Sequence, residues 1–374
     1  MKNIVFVYIL ILTTTVSCKK EWLDEKPQLS LTVPQTIADY QAILDNAFSF
    51  PGMNVASTLG LGEISAGDFY LDNNGWQIGD PYIRNVYIWK EGDNFYEGDD
   101  NIGDWINSYA IILNSNIVIE GIDDIIKKGE QDTTAANNVK GMALFFRAYR
   151  HFTVAQEFCK PYVSASASTD PGIPLRLNSD FSVVSKRSTV AETYNQIIAD
   201  LKEAANLITT ELPNSKLNKV RPAKVAAYSM LGRVYLSMSN YDSAYYFSDL
   251  ALSRYNEIMD YNDITQVDPS AAFSFQIFNP ETIYYSEIGL SFYFFPSIMF
   301  VDTSLYQMYD DNDIRKTALF NPNGAVIDYK GSYTGKYEFF DGLTTSEMLL
   351  IRAESSARKG GMQAAADDLN TLLT

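Results

Sequence analysis

Residues 34–48, PQTIADYQAILDNAF, set Ile37, Tyr40, Ile43, Leu44 and Ala47 at intervals of 3, 3, 1 and 3 behind an early proline. Apolar residues so spaced fall on one face of a helix, and proline is tolerated in a helix's first turn. The same periodicity predicts helices over 101–127, 136–158 and 188–208. In the last of these Thr189 and Glu192 stand three apart, the spacing of a capping box. Between the helical stretches the pattern fails. Residues 51–98 are Gly- and Asn-rich with scattered aromatics and read as loops with short strands. Pro161, Pro171 and Pro174 make 159–185 a long connection, and 260–344 is an irregular region rich in Phe and Tyr.

The clearest passage is 221–257, RPAKVAAYSMLGRVYLSMSNYDSAYYFSDLALSRYNE. Two helical patterns flank a short Ser-Asn-Tyr-Asp turn. Counted from Val225, Tyr228 takes the large aromatic position of a tetratricopeptide (TPR) unit, Leu231-Gly232 the Leu-Gly pair, Tyr235 the Tyr position, and Ala244 and Ala251 the two alanines. Small residues admit a neighbouring helix and large ones fill the gaps. Leu349, Ala353, Ala365, Leu369 and Leu372 repeat the layout around a Gly360-Gly361 turn. Helices 136–158 and 188–208 are expected to form one more unit, split by the Pro-rich insert. Such units bury their faces only by stacking on neighbours. The expected fold is mainly α: stacked TPR-like helices over about 34–50, 101–158, 188–258 and 345–374, with irregular loop-rich, short-strand inserts at 51–98, 159–187 and 260–344.

At the N-terminus Lys2 precedes the unbroken apolar run Ile4–Leu12, then threonines and Ser17-Cys18. This is the layout of a secretory signal, and the run is far short of the roughly 20 residues that span a bilayer. The segment also looks like a bacterial lipobox, with Cys18 as the lipid-carrying residue of the mature chain, although Thr15 stands where Leu is commonest. A plain signal cleaved near Ser17 is the alternative.

The chain carries 46 acidic against 29 basic residues, a net charge of −17. So acidic a surface disfavours nucleic acid. Its 2 cysteines and 1 histidine exclude the usual zinc clusters. His151 sits in an apolar-rich helical pattern, a poor place for a catalytic triad, and Cys159 reads as a core residue. Counted from Asp311, the sixth and twelfth places of an EF-hand loop hold Lys316 and Pro322 rather than Gly and Glu, so Asp310, Asp311 and Asp313 read as a solvated turn. No carboxylate pair stands alone in an apolar window. No metal, cofactor or catalytic residue is therefore expected.

Taken together, "CKKEWLDEKP", "DWINSYAIILNSNIVIEGID", "FFRAYRHFTVAQEF", the 221–257 repeat, "LYQMYDDNDIRKTALF" and "EMLLIRAESSARKGG" resemble, in that order, the SusD/RagB family of outer-membrane nutrient-uptake lipoproteins of Bacteroidetes. The resemblance implies one SusD-like domain over 18–374 behind a signal at 1–17. It implies a cell-surface protein, anchored in the outer membrane by lipid on Cys18, that captures oligosaccharides and passes them to a SusC-like TonB-dependent transporter. It implies no enzyme activity. Glu21, Asp24 and Glu25 look like the surface-export signal of such lipoproteins. Family members usually continue further, so Thr374 reads as a truncation, with an apolar patch expected at Leu369, Leu372 and Leu373. The same scaffold binding peptides, or serving only as an envelope interaction scaffold, remain the alternatives.

Sugars bind where aromatic faces meet C–H faces and short amides or carboxylates take the hydroxyls. The window 68–82, DFYLDNNGWQIGDPY, offers Tyr70, Trp76 and Tyr82 beside Asp72, Asn73, Asn74 and Asp80. The competing reading has Trp76 anchoring this loop to the helices. A second candidate is LSFYFFP, with Phe292, Tyr293 and Phe294, whereas Tyr284 and Tyr285 alternate like a buried strand. Trp89 and Trp105 are expected in the core. The first testable point is the anchor: Cys18→Ala is expected to release the protein from membranes or block its processing. Persistent outer-membrane partitioning of the variant, with no fatty-acid labelling of the wild type, would refute it.

Overall fold

A computed structural model describes residues 33–46, 60–92, 102–129, 131–289 and 298–373. The chain divides into residues 1–35 and 36–374, and every element below belongs to the second unit. Cys18, Phe292, Tyr293 and Phe294 lie outside the described residues. The elements are α1 (Ile37–Asn46), α2 (Leu61–Ala66), β1 (Phe69–Leu71), α3 (Asn73–Ile78), α4 (Pro81–Tyr87), α5 (Gly103–Lys128), α6 (Thr133–Phe158), β2 (Pro171–Pro174), β3 (Arg187–Thr189) and α7 (Val190–Leu207). After these come α8 (Lys216–Val220), α9 (Lys224–Ser237), α10 (Tyr241–Leu252), β4 (Thr282–Tyr284), β5 (Met299–Val301), α11 (Thr303–Gln307) and α12 (Ile314–Leu319). The last are β6 (Phe320–Asn323), β7 (Val326–Tyr329), β8 (Leu343–Thr344), α13 (Thr345–Arg358) and α14 (Met362–Thr371).

The long helices begin and end where local chemistry tells them to. Asp132 caps α6 by accepting from the Thr134 and Ala135 amides. Thr189 and Glu192 close the capping box of α7 in both directions. Gly129 ends α5 in the left-handed region, φ 68°, with Lys127 and Lys128 in the last turn where the helix dipole favours cations. Neighbours then stack in series: α5 on α6, α6 on α7, α7 on α9, α9 on α10, α10 on α13 and α13 on α14. One apolar core, from Leu44 to Ile351, runs through the stack. In the predicted repeat Ala244 and Ala251 are fully buried, and Tyr235 stacks on Phe247 with ring centres 5.5 Å apart. The fold is the mainly helical, TPR-like one expected from the sequence. Among the described residues no helix is long and apolar enough to cross a membrane.

Residues 141–152 of α6 are buried without interruption. A helix with neighbours on every side has no solvent face, so its polar residues must find partners inside. Arg147 does. Its Nε and Nη2 donate to the two carboxylate oxygens of Asp200 on α7, each at 2.7 Å. Its Nη1 donates to Asn116 Oδ1 on α5 at 2.9 Å, and Asn116 Nδ2 donates in turn to the carbonyls of Arg176 and Asn178. This places one guanidinium between three helices and a connecting loop.

Two readings of the sequence need correction. Residues 60–92 are not loops with short strands: they hold α2, α3 and α4 around the single strand β1. Helices of six or seven residues are too short to show a period, and their start signals, Asp72 as cap and Pro81 at the first position, mimic turn chemistry. Gly232 is also not a tight contact. A Cβ built there meets nothing closer than the Ser248 amide at 3.5 Å, whereas one on Gly141 would lie 2.9 Å from the Ile208 backbone nitrogen. Gly141→Ala is therefore expected to cost about 1–3 kcal/mol by overpacking α6 against the end of α7. Gly232→Ala should be neutral or stabilising by about 0.5–1 kcal/mol. Denaturant midpoints of the two variants test this, and the reverse order would overturn it.

Candidate functional site

Strands β1 and β5 pair antiparallel, with Phe69 opposite Val301, Tyr70 opposite Phe300 and Leu71 opposite Met299. Alternate residues of a strand point to opposite faces. Phe69, Met299 and Val301 are buried, while Tyr70 is 39% exposed and its ring lies 5.5 Å from that of Phe300. The short ribbon thus has an apolar inner face and an outer face carrying two rings. Asp72 then stops β1 and caps α3, its Oδ1 accepting from the Gly75 amide at 2.7 Å. That cap leaves Asn73 and Asn74 exposed in the first turn of α3, next in sequence to the rings. Gly75 is the close approach that seats α3, since a Cβ there would fall 2.9 Å from Ile298 Cγ2 just ahead of β5.

The other residues of the window 68–82 part company. Trp76 is half-buried. Its Nε1 donates to the Arg84 carbonyl at 3.3 Å, and the Arg84 guanidinium lies 5.4 Å over its ring. It therefore ties α3 to α4 and has one face covered. Tyr82 is 3% exposed and packs in a core with Leu61, Ile64, Phe69 and Val86. This corrects its place among the ligand-facing residues: at the start of α4 its ring points inward. Trp89 is the opposite correction. It is 73% exposed, with φ 51°, in the left-handed position after α4. The Lys90 amide reaching back to the Asn85 carbonyl closes the helix end around it. Trp105 is half-buried against Tyr109 and Phe158. Tyr284 and Tyr285 are buried, as their alternation predicts.

Behind the ribbon lies a cavity of about 570 Å³. Its walls include Phe69, Met299 and Val301 from the inner face of the ribbon, Phe320 and Tyr329 from β6 and β7, and Tyr333, Phe339 and Phe340 from the segment before β8. Arg233 and Glu347 meet in its lining, the guanidinium donating to both carboxylate oxygens at 2.6 and 2.7 Å. Glu63, from α2, also lines it. Burial, with the charges of Asp68 and Asp341 adding, raises the Glu63 carboxyl from an ordinary 4.5 to about 7. Neither this cavity nor Phe300 is visible in the sequence. The lining residues come from segments far apart in the chain, and no local pattern pairs 69–71 with 299–301.

Residues 21–236 match the SusD-like family described as starch-binding and associating with the outer membrane. Among solved structures, a SusD superfamily protein from Bacteroides thetaiotaomicron is similar at 22% identity, covering 90% of this chain and 80% of its own, with a TM-score of 0.68. A SusD-like carbohydrate binding protein from Bacteroides vulgatus aligns at 19% identity, over 91% and 75% of the two chains, with a TM-score of 0.68. Surface glycan-binding protein A from Bacteroides uniformis aligns at 15% identity, over 90% and 79%, with a TM-score of 0.63. No curated protein sequence matches the chain.

The raised pKa of Glu63 has a measurable consequence. Between pH 4.5 and about 7 the folded protein keeps a proton that the unfolded chain has lost, so this group's contribution to stability falls as pH rises through that window. Glu63→Gln is expected to raise stability by about 1–2 kcal/mol at pH 8 and to change it little near pH 4. Thermal melts at the two pH values check this, and an equal shift at both would contradict it.

Proposed function

This chain belongs to the SusD-like family, and on that footing we propose that it is a surface lipoprotein, anchored through Cys18, that captures oligosaccharides and passes them to a SusC-like TonB-dependent transporter. The observation that carries the binding step is the outer face of the β1–β5 ribbon, where Tyr70 and Phe300 stand 5.5 Å apart and exposed Asp72, Asn73 and Asn74 follow at once. Rings take the C–H faces of a pyranose, and short amides and a carboxylate take its hydroxyls. The names of the solved relatives, a carbohydrate binding protein and a surface glycan-binding protein, point the same way. The reading is of binding rather than catalysis, because the carboxylate beside the rings, Asp72, is held as a helix cap. The net charge of −17 further favours neutral glycans over polyanions.

Tyr70 separates recognition from packing better than Trp76, which also joins two helices. Tyr70→Ala is expected to weaken glycan binding at least about tenfold while the melting temperature stays nearly unchanged, since a few aromatic anchors carry most of a site's energy. Trp76→Ala should lower both. Calorimetric titration against a panel of polysaccharides and peptides provides the measurement. Full affinity in a folded Tyr70→Ala protein, or binding of peptides alone, would overturn the proposal.

A further inference from the structure

The cavity behind the ribbon has no part in capture on the outer face, yet its volume of about 570 Å³ lies in the range of small-molecule sites. Its walls are dominated by aromatic rings, and its charges are out of balance. Among the described residues of the lining, Glu63, Asp68 and Glu347 face it against one cation, Arg233. Arg233 is spent, because Glu347 holds its guanidinium through two hydrogen bonds. Glu63 and Asp68 have no ion-pair partner among the described residues, and the charge of Asp341 also acts on Glu63. We propose that this cavity binds a small organic cation, an amine or quaternary ammonium on an aromatic or aliphatic body, with its charge against Glu63 and Asp68 and its body against the rings.

The lining argues against the other classes. A neutral sugar would draw on lining hydroxyls as well as carboxylates, and the hydroxyls of Ser332, Tyr333 and Thr344 are already engaged. Ser332 Oγ donates to the Glu338 carbonyl at 2.7 Å, Tyr333 donates to Glu281 at 2.8 Å, and Thr344 Oγ1 accepts from the Glu347 amide at 3.1 Å. An organic anion would meet three carboxylates and a guanidinium already neutralised. Among the described residues no group of His, Cys, Asp and Glu is arranged to hold a metal ion. A cation on an apolar body uses what remains: aromatic rings attract positive charge through their quadrupole, and a carboxylate in an apolar cavity attracts it more strongly than one in water. An entering cation also offsets the desolvation that burial imposes on an ionised Glu63 and the repulsion from Asp68 and Asp341.

The test is calorimetric titration of the full chain with 2-phenylethylamine, its neutral near-isostere 2-phenylethanol, and the anion 3-phenylpropionate. Benzyltrimethylammonium serves as a second cation. The cations are expected to bind at least about tenfold tighter than the alcohol, and the anion more weakly still. Glu63→Gln should bring amine and alcohol to within about twofold of each other, and Asp68→Asn, on an exposed side chain, should reduce the preference several-fold. Tyr70→Ala should leave cation binding untouched, and Glu63→Gln should leave glycan binding untouched, so this inference and the outer-face reading can fail separately. Equal affinity for amine and alcohol would overturn it. So would an unchanged preference in both carboxylate variants, or no binding of either cation up to about 10 mM.

Discussion

Arg147 buries a full charge in the middle of the helical stack, and the arrangement of the long helices depends on how that charge is met. Removing an ion from water costs several kcal/mol, and attraction offsets this only if the geometry is good and the remaining donors are used. Here Asp200 takes two of the guanidinium's donors and Asn116 a third, while Asn116 itself binds the loop after β2. Each partner lies on a different element, so α5, α6 and α7 satisfy Arg147 together only in one register. Loss of Asp200 would leave an uncompensated cation at a cost of about 3–5 kcal/mol, far above that of an exposed pair. The same burial keeps His151, four residues further along α6, neutral: desolvation first, with Arg147 adding, pushes its imidazole down to about 3. The lone histidine is a packing residue on an enclosed helix.

On this frame the elements of the candidate site are small additions. The ribbon of β1 and β5 has three residue pairs, and α3 and α4 have six and seven residues. None would hold its shape alone, since two-stranded pieces and one-turn helices are marginal in water. They stand because Phe69, Tyr82, Val86 and Met299 share a buried cluster with Ile64 of α2. The outer rings and the inner cavity are thus two faces of one wall, and a change that loosens the wall should be felt on both.

How much was legible in the sequence follows from the range of the interactions involved. The long helices, the Thr189–Glu192 capping box and the buried alanines of the repeat depend on neighbours within a few turns, and periodicity or spacing shows them. The resemblance to SusD/RagB proteins supplied the architecture that periodicity alone left open. Tyr82 and Trp89 were misplaced because composition does not say which way a side chain points at the end of a short helix. Trp89 occupies a left-handed position that usually belongs to glycine, and no pattern in its neighbours announces this. Phe300, Arg233 and the cavity carry no local signal because each depends on partners far apart in the chain.

The pairing of residues 69–71 with 299–301 also dictates an order of events. A chain is synthesised N-terminus first, and the helices around Arg147 can dock once residues up to Asp200 are available. The ribbon cannot. Bringing its two strands together carries the loop-closure entropy of everything between them, and contacts of such separation form late unless the intervening chain is already compact. A partly synthesised molecule would therefore possess the helical scaffold with neither the ribbon's outer face nor the cavity behind it. Placing the proposed site on this pairing would make it double as a completeness check, formed only in molecules whose chain has emerged at least as far as Val301 and folded.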